Sequence, residues 1–237
     1  MEKLKLENIL AQNDYPGRGI VVGLSADGKK AMVAYFIMGR SANSQNRVFE
    51  KTDDGIIIYP FDPSKVEDPS LIIYSPVRAI NGKLIVTNGD QTDTIYDFLA
   101  NGKSFEEALL TRQFEPDCPN WTPRISAILN LEGEFSYKMS ILKSADPQGS
   151  GCNRFTYSYA PVKGLGHFIH TYNGNGNPIP SFTGEPEWIE LGNDFESFYN
   201  GVWSSLNKDN KVSMYAISID LETKAQQTKI FNKNKGE

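Results

Sequence analysis

The spacing of apolar residues changes period several times along the chain. Leu6, Ile9 and Leu10 share one side of a short amphipathic helix over residues 2–13. Gly19–Leu24 and Ala31–Met38 are apolar, β-branched runs, and Asp27-Gly28 between them reads as a hairpin turn. Ile56–Tyr59, Leu71–Tyr74 and Leu84–Thr87 are further strands, the last entered through a tight Asn81-Gly82 turn. Helical spacing then takes over at Thr92–Leu99 and Ser104–Gln113. Ser104 and Glu107 have the spacing of a capping box, and Gly102 suits the end of the helix before it. Strands return at Arg124–Leu131 and Phe135–Leu142, around Glu132-Gly133, and at Thr156–Ala160 and His167–Asn173. Phe195, Phe198, Tyr199, Val202, Trp203 and Leu206 mark another helix, with Asp194 placed to cap it. Val212–Leu221 and Gln226–Phe231 form a last hairpin.

Strands therefore come in blocks with helices between them. That order fits an α+β fold of antiparallel sheets with helices packed outside better than it fits alternating βαβ units. No repeat or linker divides the 237 residues, so 1–237 reads as one domain. Residues 1–14 form a helical extension, and 232–237 a flexible, frayed tail. Gly174–Pro180 is a long polar turn.

Composition narrows the function classes. The formal net charge of -5 argues against general nucleic-acid binding, which wants a basic face. It leaves room for a phosphorylated small molecule held by a few convergent arginines. No apolar run is long enough to span a bilayer, and the first residues lack a signal peptide's apolar core, so a cytoplasmic protein is the simplest expectation. The two cysteines, Cys118 and Cys152, read as free thiols. His167 and His170 are the only histidines; three apart on a strand they point to opposite faces and cannot share a metal. No metal and no redox cofactor is expected.

Several polar segments end apolar strands. Arg18, in Tyr15-Pro16-Gly17-Arg18-Gly19, is placed to hold a phosphate or carboxylate, although a surface arginine paired with an acid explains the pattern equally. The segment Gly39–Arg47 combines Arg40, Ser41, Asn43 and Arg47, the chemistry of an anion-binding loop or of a polar connection. Asn88-Gly89-Asp90-Gln91-Thr92-Asp93 packs polar side chains where a strand meets a helix; Asp90 or Thr92 as a cap, and Asp93 at the helix dipole, are the plain alternatives. Thr122-Pro123-Arg124 enters an apolar strand behind a proline-rich loop carrying Glu115 and Asp117, either a proton carrier or solvated carboxylates. Asn and Gly in Tyr172–Asn177 explain that turn without any function.

Four of these segments, in this order, resemble the stand-alone IMP cyclohydrolases first recognised in archaea. They are YPGRGIVVG (15–23), GRSANSQNRVF (39–49), TNGDQTD (87–93) and TPRISAIL (122–129), with a weaker echo in HTYNGNGNP (170–178). The NG-x-x-TD and TPRI-x-AIL patterns are the most specific, and the segments outside the resemblance include the N-terminal helix and 144–167. The resemblance implies a fold like that of N-terminal-nucleophile hydrolases, a four-layer αββα sandwich of two antiparallel sheets with helices on both outer faces. It implies ring closure of 5-formamidoimidazole-4-carboxamide ribonucleotide (FAICAR) to IMP in purine biosynthesis, without a cofactor. The sites it implies are catalytic Arg18, Tyr74, Asn88, Asp90, Asp93 and Glu115, and substrate-binding Arg40, Ser41, Asn43, Arg47, Arg124 and Asn173. Two other readings stay open: a self-processed amidohydrolase with an exposed Cys, Ser or Thr, and a nucleotide-binding module without catalysis. Oligomeric state is left open, a homo-oligomer included.

Overall fold

The computed structural model describes residues 4–66 and 73–236. Helix α1 (Leu6–Gln12) precedes the hairpin of β1 (Arg18–Leu24) and β2 (Lys30–Met38). The single turn α2 (Ala42–Gln45) leads to β3 (Arg47–Lys51), β4 (Gly55–Pro60), β5 (Val77–Ile80) and β6 (Lys83–Thr87). Helices α3 (Gln91–Ala100) and α4 (Phe105–Leu110) follow, then β7 (Arg124–Asn130), β8 (Ser136–Ser144), β9 (Cys152–Tyr159), β10 (Leu165–His170) and β11 (Glu187–Glu190). Helix α5 (Phe195–Ser205) and the hairpin of β12 (Lys211–Asp220) and β13 (Gln226–Asn232) complete the order.

The strands form two antiparallel sheets. One has six strands in the order β11-β10-β1-β2-β12-β13, the other seven in sequence order from β3 to β9. Ile20, Val22, Val33 and Tyr35 of the first sheet share one apolar cluster with Ile56, Val86, Ile125, Ala127 and Met139 of the second. The opposite side chains of the first sheet, among them Val21, Phe36 and Met214, pack on Leu6 and Leu10 of α1 and on Phe195 and Val202 of α5. Those of the second, Ile85, Ile128 and Leu142, pack on Ile95 of α3 and on Phe105 and Leu109 of α4. Burial of both faces explains why β1 and β2 read as continuous apolar runs rather than alternating ones. The edge strands β9 and β13 carry the exposed positions.

Helix ends follow their sequence signals. Ser104 Oγ accepts from the Glu107 N–H at 3.1 Å while the Ser104 N–H donates to Glu107 Oε2 at 2.7 Å. Asp194 Oδ2 accepts from the Ser197 N–H at 2.7 Å and starts α5.

Three strands escape the hydrophobic pattern. In β3 charged Arg47, Glu50 and Lys51 surround a short apolar pair, β5 is only four residues with an arginine in it, and β11 is half-exposed. The expected strand Leu71–Tyr74 falls partly outside the described residues; Ile73 and Tyr74 are not in a strand, although the Ile58 N–H donates to the Tyr74 carbonyl at 3.0 Å. The strand expected over His167–Asn173 stops at His170, where the chain turns to bridge Tyr172 with Ser181. Asn232, where a frayed tail was expected to begin, is buried: it accepts from the Phe49 N–H at 2.7 Å and donates to the Phe49 carbonyl at 3.1 Å. A strand-like pairing by one side chain thus fastens the last residues to β3, and Asn234 donates to the Gln45 carbonyl beyond it. Among the described residues, no helix is long and apolar enough to cross a membrane.

Candidate active site

Strand alternation aims several polar side chains into one end of the space between the sheets. Arg18 opens β1 on the same face as Ile20 and Val22, and Arg47 opens β3 on the same face as Phe49. Tyr35 lies opposite Ile20 on β2, and its hydroxyl is 3.1 Å from that of Tyr74. Glu115, from the loop between α4 and β7, brings Oε2 to 3.9 Å from Arg18 Nη2; the two side chains are 18% and 13% exposed. Arg47 is 7% exposed. The Nε atoms of both arginines are buried without a hydrogen-bond partner among the described residues. Arg18 therefore faces Glu115 directly while Arg47 feels it only at longer range, and each guanidinium keeps a donor unused in a region of low dielectric. Buried donors in that state are costly for the fold and call for a reason such as a catalytic role or a bound group.

The electrostatics follow from burial and proximity. Burial pushes the Glu115 carboxyl above the usual carboxylate range, and the pull of Arg18, Arg124 and Arg47 does not fully offset it. Burial also disfavours the Arg18 charge, but Glu115 and the neighbouring phenols reverse the balance and hold Arg18 above its ordinary value. Arg47 is held below its own by burial and then by repulsion from Arg18. The Tyr74 phenol is raised by burial, with Arg18 and Arg47 pulling it back.

A hydroxyl relay borders this cluster. The Tyr172 hydroxyl lies 2.5 Å from Thr122 Oγ1, which donates in turn to Asp117. Burial raises the Tyr172 phenol to about 12, against the pull of Arg18. Tyr15 stacks on Tyr172 with ring centroids 5.9 Å apart. Gly17 (φ 75°) permits this close approach, since a Cβ there would lie 2.3 Å from Thr171 Oγ1 and 2.4 Å from the Tyr172 ring.

A family model described as IMP cyclohydrolase-like protein matches residues 15–224. The chain belongs to the IMP cyclohydrolase-like family. It is similar to the IMP cyclohydrolase of Methanopyrus kandleri, 34% identical over 121 residues, covering 50% of this chain and 60% of that protein. The IMP cyclohydrolases of Methanococcus aeolicus (32% over 120 residues, 49% of this chain and 58% of that protein) and Methanocaldococcus jannaschii (35% over 119 residues, 49% and 57%) match similarly. In each case the chain spans less than two thirds of the curated relative.

The residues expected at the site divide by place. Arg18, Arg47, Tyr74 and Glu115 share the inter-sheet cluster described above. Asp90 and Arg124 meet at the adjoining end of the second sheet: Arg124 Nη1 lies 2.7 Å from Asp90 Oδ1 and donates to Gln91 Oε1 at 2.7 Å. Gly89 makes room for that guanidinium, since a Cβ there would fall 2.3 Å from Arg124 Nη1. Asp90 also accepts from Arg112 Nη2 at 2.5 Å and does not cap α3 through its side chain. Burial opposes the Asp90 charge, but the hydrogen bond and charges of Arg112 and Arg124 outweigh it and hold its carboxyl below the usual range. Asn88 is buried and committed to backbone: Oδ1 accepts from the Ile125 N–H at 2.8 Å, and Nδ2 donates to the Pro123 carbonyl at 2.8 Å.

The remaining predicted residues lie apart from the cluster. Arg40 is exposed, 5.0 Å from the Tyr15 ring centroid, and donates to Asn175 and to the Gly176 carbonyl at 2.9 Å. Asn173 is exposed and donates to Thr183 Oγ1 at 2.9 Å. Ser41 caps α2, Asn43 is exposed on that turn, and Asp93 pairs with Arg78 at 3.0 Å on the outer side of the second sheet. The histidines point to opposite faces of β10: His167 Nδ1 is 2.7 Å from the Tyr137 hydroxyl in the core, and His170 packs on Phe168 and Phe182.

Sequence reasoning did not single out Tyr35, Tyr172, Arg112 or Arg154. Tyr35 carried a usable signal: a hydroxyl inside the apolar run Ala31–Met38 needs a buried partner. The arginines carried none: Arg112 follows α4 and Arg154 stands on the edge strand β9, both outside any motif.

Proposed function

We propose that this chain closes the pyrimidine ring of FAICAR to give IMP, at the cluster of Arg18, Arg47, Tyr74 and Glu115. The observation carrying this reading is a buried carboxyl of raised pKa beside two guanidiniums with unused donors, in a chain of the IMP cyclohydrolase-like family. The carboxamide nitrogen attacks the formyl carbon of the same molecule, the N–C bond forms, and the formyl C=O opens to an alkoxide. The nitrogen's proton passes through Glu115 to that oxygen. The hydroxyl then leaves as water while the formamide nitrogen gives up its own proton and the C=N bond closes.

Each part of the cluster matches one demand of this chemistry. Fixing the formamide rotamer against the carboxamide supplies about 7–11 kcal/mol where intramolecular orientation is good. The Nε donors of Arg18 and Arg47, with the Tyr74 hydroxyl, face the oxygen that becomes negative, and one such donor is worth roughly 3–4 kcal/mol. A carboxyl raised above its usual range exchanges protons nearer neutral pH than a solvated one. Arg40 lies apart from the cluster, over the Tyr15 ring that stacks on Tyr172.

We read the two sheets and their outer helices as the αββα sandwich of N-terminal-nucleophile hydrolases within one cytoplasmic domain, supported by the three separate apolar clusters. The test is to incubate the purified protein with FAICAR and follow IMP, subtracting uncatalysed closure. Arg18→Ala should lose most of kcat/KM with the native circular dichroism spectrum retained at the assay temperature. Wild-type protein that adds nothing to the background rate overturns the proposal.

A further inference from the structure

Phe114 and Pro116, the chain neighbours of Glu115, help to line a cavity of about 310 Å³. Three of its lining residues are arginines: Arg112 after α4, Arg124 at the start of β7 and Arg154 on β9. Arg112 and Arg124 share the carboxylate of Asp90, whereas Arg154 makes no ion pair among the described residues. Set against Asp90, the three arginines carry an excess of two positive charges.

We propose that this cavity is a binding site for a phosphomonoester dianion. Its arginines are held in place before any ligand arrives. Arg154 donates Nη2 to the Arg112 carbonyl at 2.7 Å, Nη1 to the Cys152 carbonyl at 3.2 Å and Nε to the Leu109 carbonyl at 3.4 Å. Two of those bonds satisfy carbonyls at the end of α4 and the third one on β9 itself; together they use only three of the five guanidinium N–H groups and none of the charge. Arg124 is fixed by Asp90 and Gln91, with its Nε and Nη2 uncommitted among the described residues. Arg112 is fixed by Asp90 alone. A phosphate between three oriented forks meets paired donors and matching charge, and little side-chain freedom is lost on binding. The cavity's other walls, including Thr111 and Gln113, are polar and leave room for a sugar or water beside the phosphate.

Two sources share this chemistry: the 5′-phosphate of the nucleotide whose base reaches the Glu115 side, which rests on the function proposed above, and a separate phosphorylated ligand. Calorimetric titration of the whole protein with inorganic phosphate, at constant ionic strength, tests the site without reference to turnover. Wild-type protein should bind phosphate. Arg154→Gln and Arg112→Gln should each weaken binding tenfold or more with the native circular dichroism spectrum retained, and Arg154→Lys should fall between. Arg47→Met should leave phosphate binding unchanged. IMP that displaces phosphate assigns the site to the nucleotide's own phosphate; IMP that binds alongside phosphate assigns it to a separate ligand. Absence of phosphate binding to wild type, or binding unaltered in both glutamine variants, overturns the proposal. Failure here with intact IMP formation leaves the proposed function standing, and the reverse result leaves the site standing.

Discussion

Replacing Arg47 by methionine should stabilise the protein and disable it. Arg47 is buried, is repelled by Arg18, and has an Nε without a partner among the described residues. Its charge is thus held out of water with little in return. Methionine follows the aliphatic stem and fills an irregular space. Replacing buried charges by packed apolar groups is often neutral or stabilising by about 1–4 kcal/mol. At roughly 2–4 °C per kcal/mol for a chain of this size, a gain of about 1–3 kcal/mol raises Tm by roughly 2–12 °C. At the proposed site the same change would remove a charge-assisted donor to the reacting oxygen, so kcat/KM should fall by about 2–4 kcal/mol, roughly 30- to 1,000-fold. Thermal unfolding by circular dichroism, with FAICAR turnover on the same preparation, reads both quantities. A variant that unfolds several degrees lower while turning over normally would show that Arg47 holds the fold together, and the reasoning from its unused donor would be wrong.

Three other changes test neighbouring parts of the structure. Asn88→Ala strands the buried Ile125 N–H and Pro123 carbonyl; at about 1–3 kcal/mol for each lost partner it should lower Tm clearly, and an unchanged Tm would contradict that. Asp93→Asn breaks only a half-exposed pair with Arg78, so it should shift stability by less than about 1 kcal/mol and leave kcat/KM near wild type; a large loss of turnover would return Asp93 to the site. Burial holds His167 at about 4. Between that value and the ordinary histidine range the unfolded chain binds the proton and the fold does not, so stability falls as pH drops through this window and levels off below it. Denaturant melts at pH 7.5 and 4.5 should show part of that loss disappearing in His167→Phe, and equal pH dependence in both proteins would count against it.

The parts of the structure legible in the sequence are those fixed by local chemistry. The β1–β2 hairpin, the Ser104–Glu107 box, the Asp194 cap and the helix of Phe195–Ser205 each follow from spacing within a few residues. Strands β3, β5 and β11 were not legible, because pairing with neighbours rather than an apolar period holds them in the sheets. The site divides the same way. Arg18 stands out as a charge at the start of an apolar run, Arg47 as the end of the polar segment 39–47, and Glu115 as a carboxylate in a proline-rich loop. Which of them meet depends on register: Arg18 shares a face with Ile20 and therefore looks between the sheets, whereas Arg124 shares a face with Ile128 and looks toward α3. Asn88 and Asp93 sit in the same short motif, yet one is bound to backbone and the other to a surface arginine. Motif density alone does not separate such residues from Asp90.

The most direct test compares the rate of IMP formation from FAICAR by wild type and by Glu115→Gln, in one buffer, with uncatalysed closure subtracted. The amide keeps the shape of the side chain and removes its proton exchange. Wild-type turnover should stand well above background, and the variant should be slower by about 10²–10⁴-fold, the usual worth of a positioned acid–base group. Glu115→Gln protein that forms IMP at the wild-type rate would contradict that role.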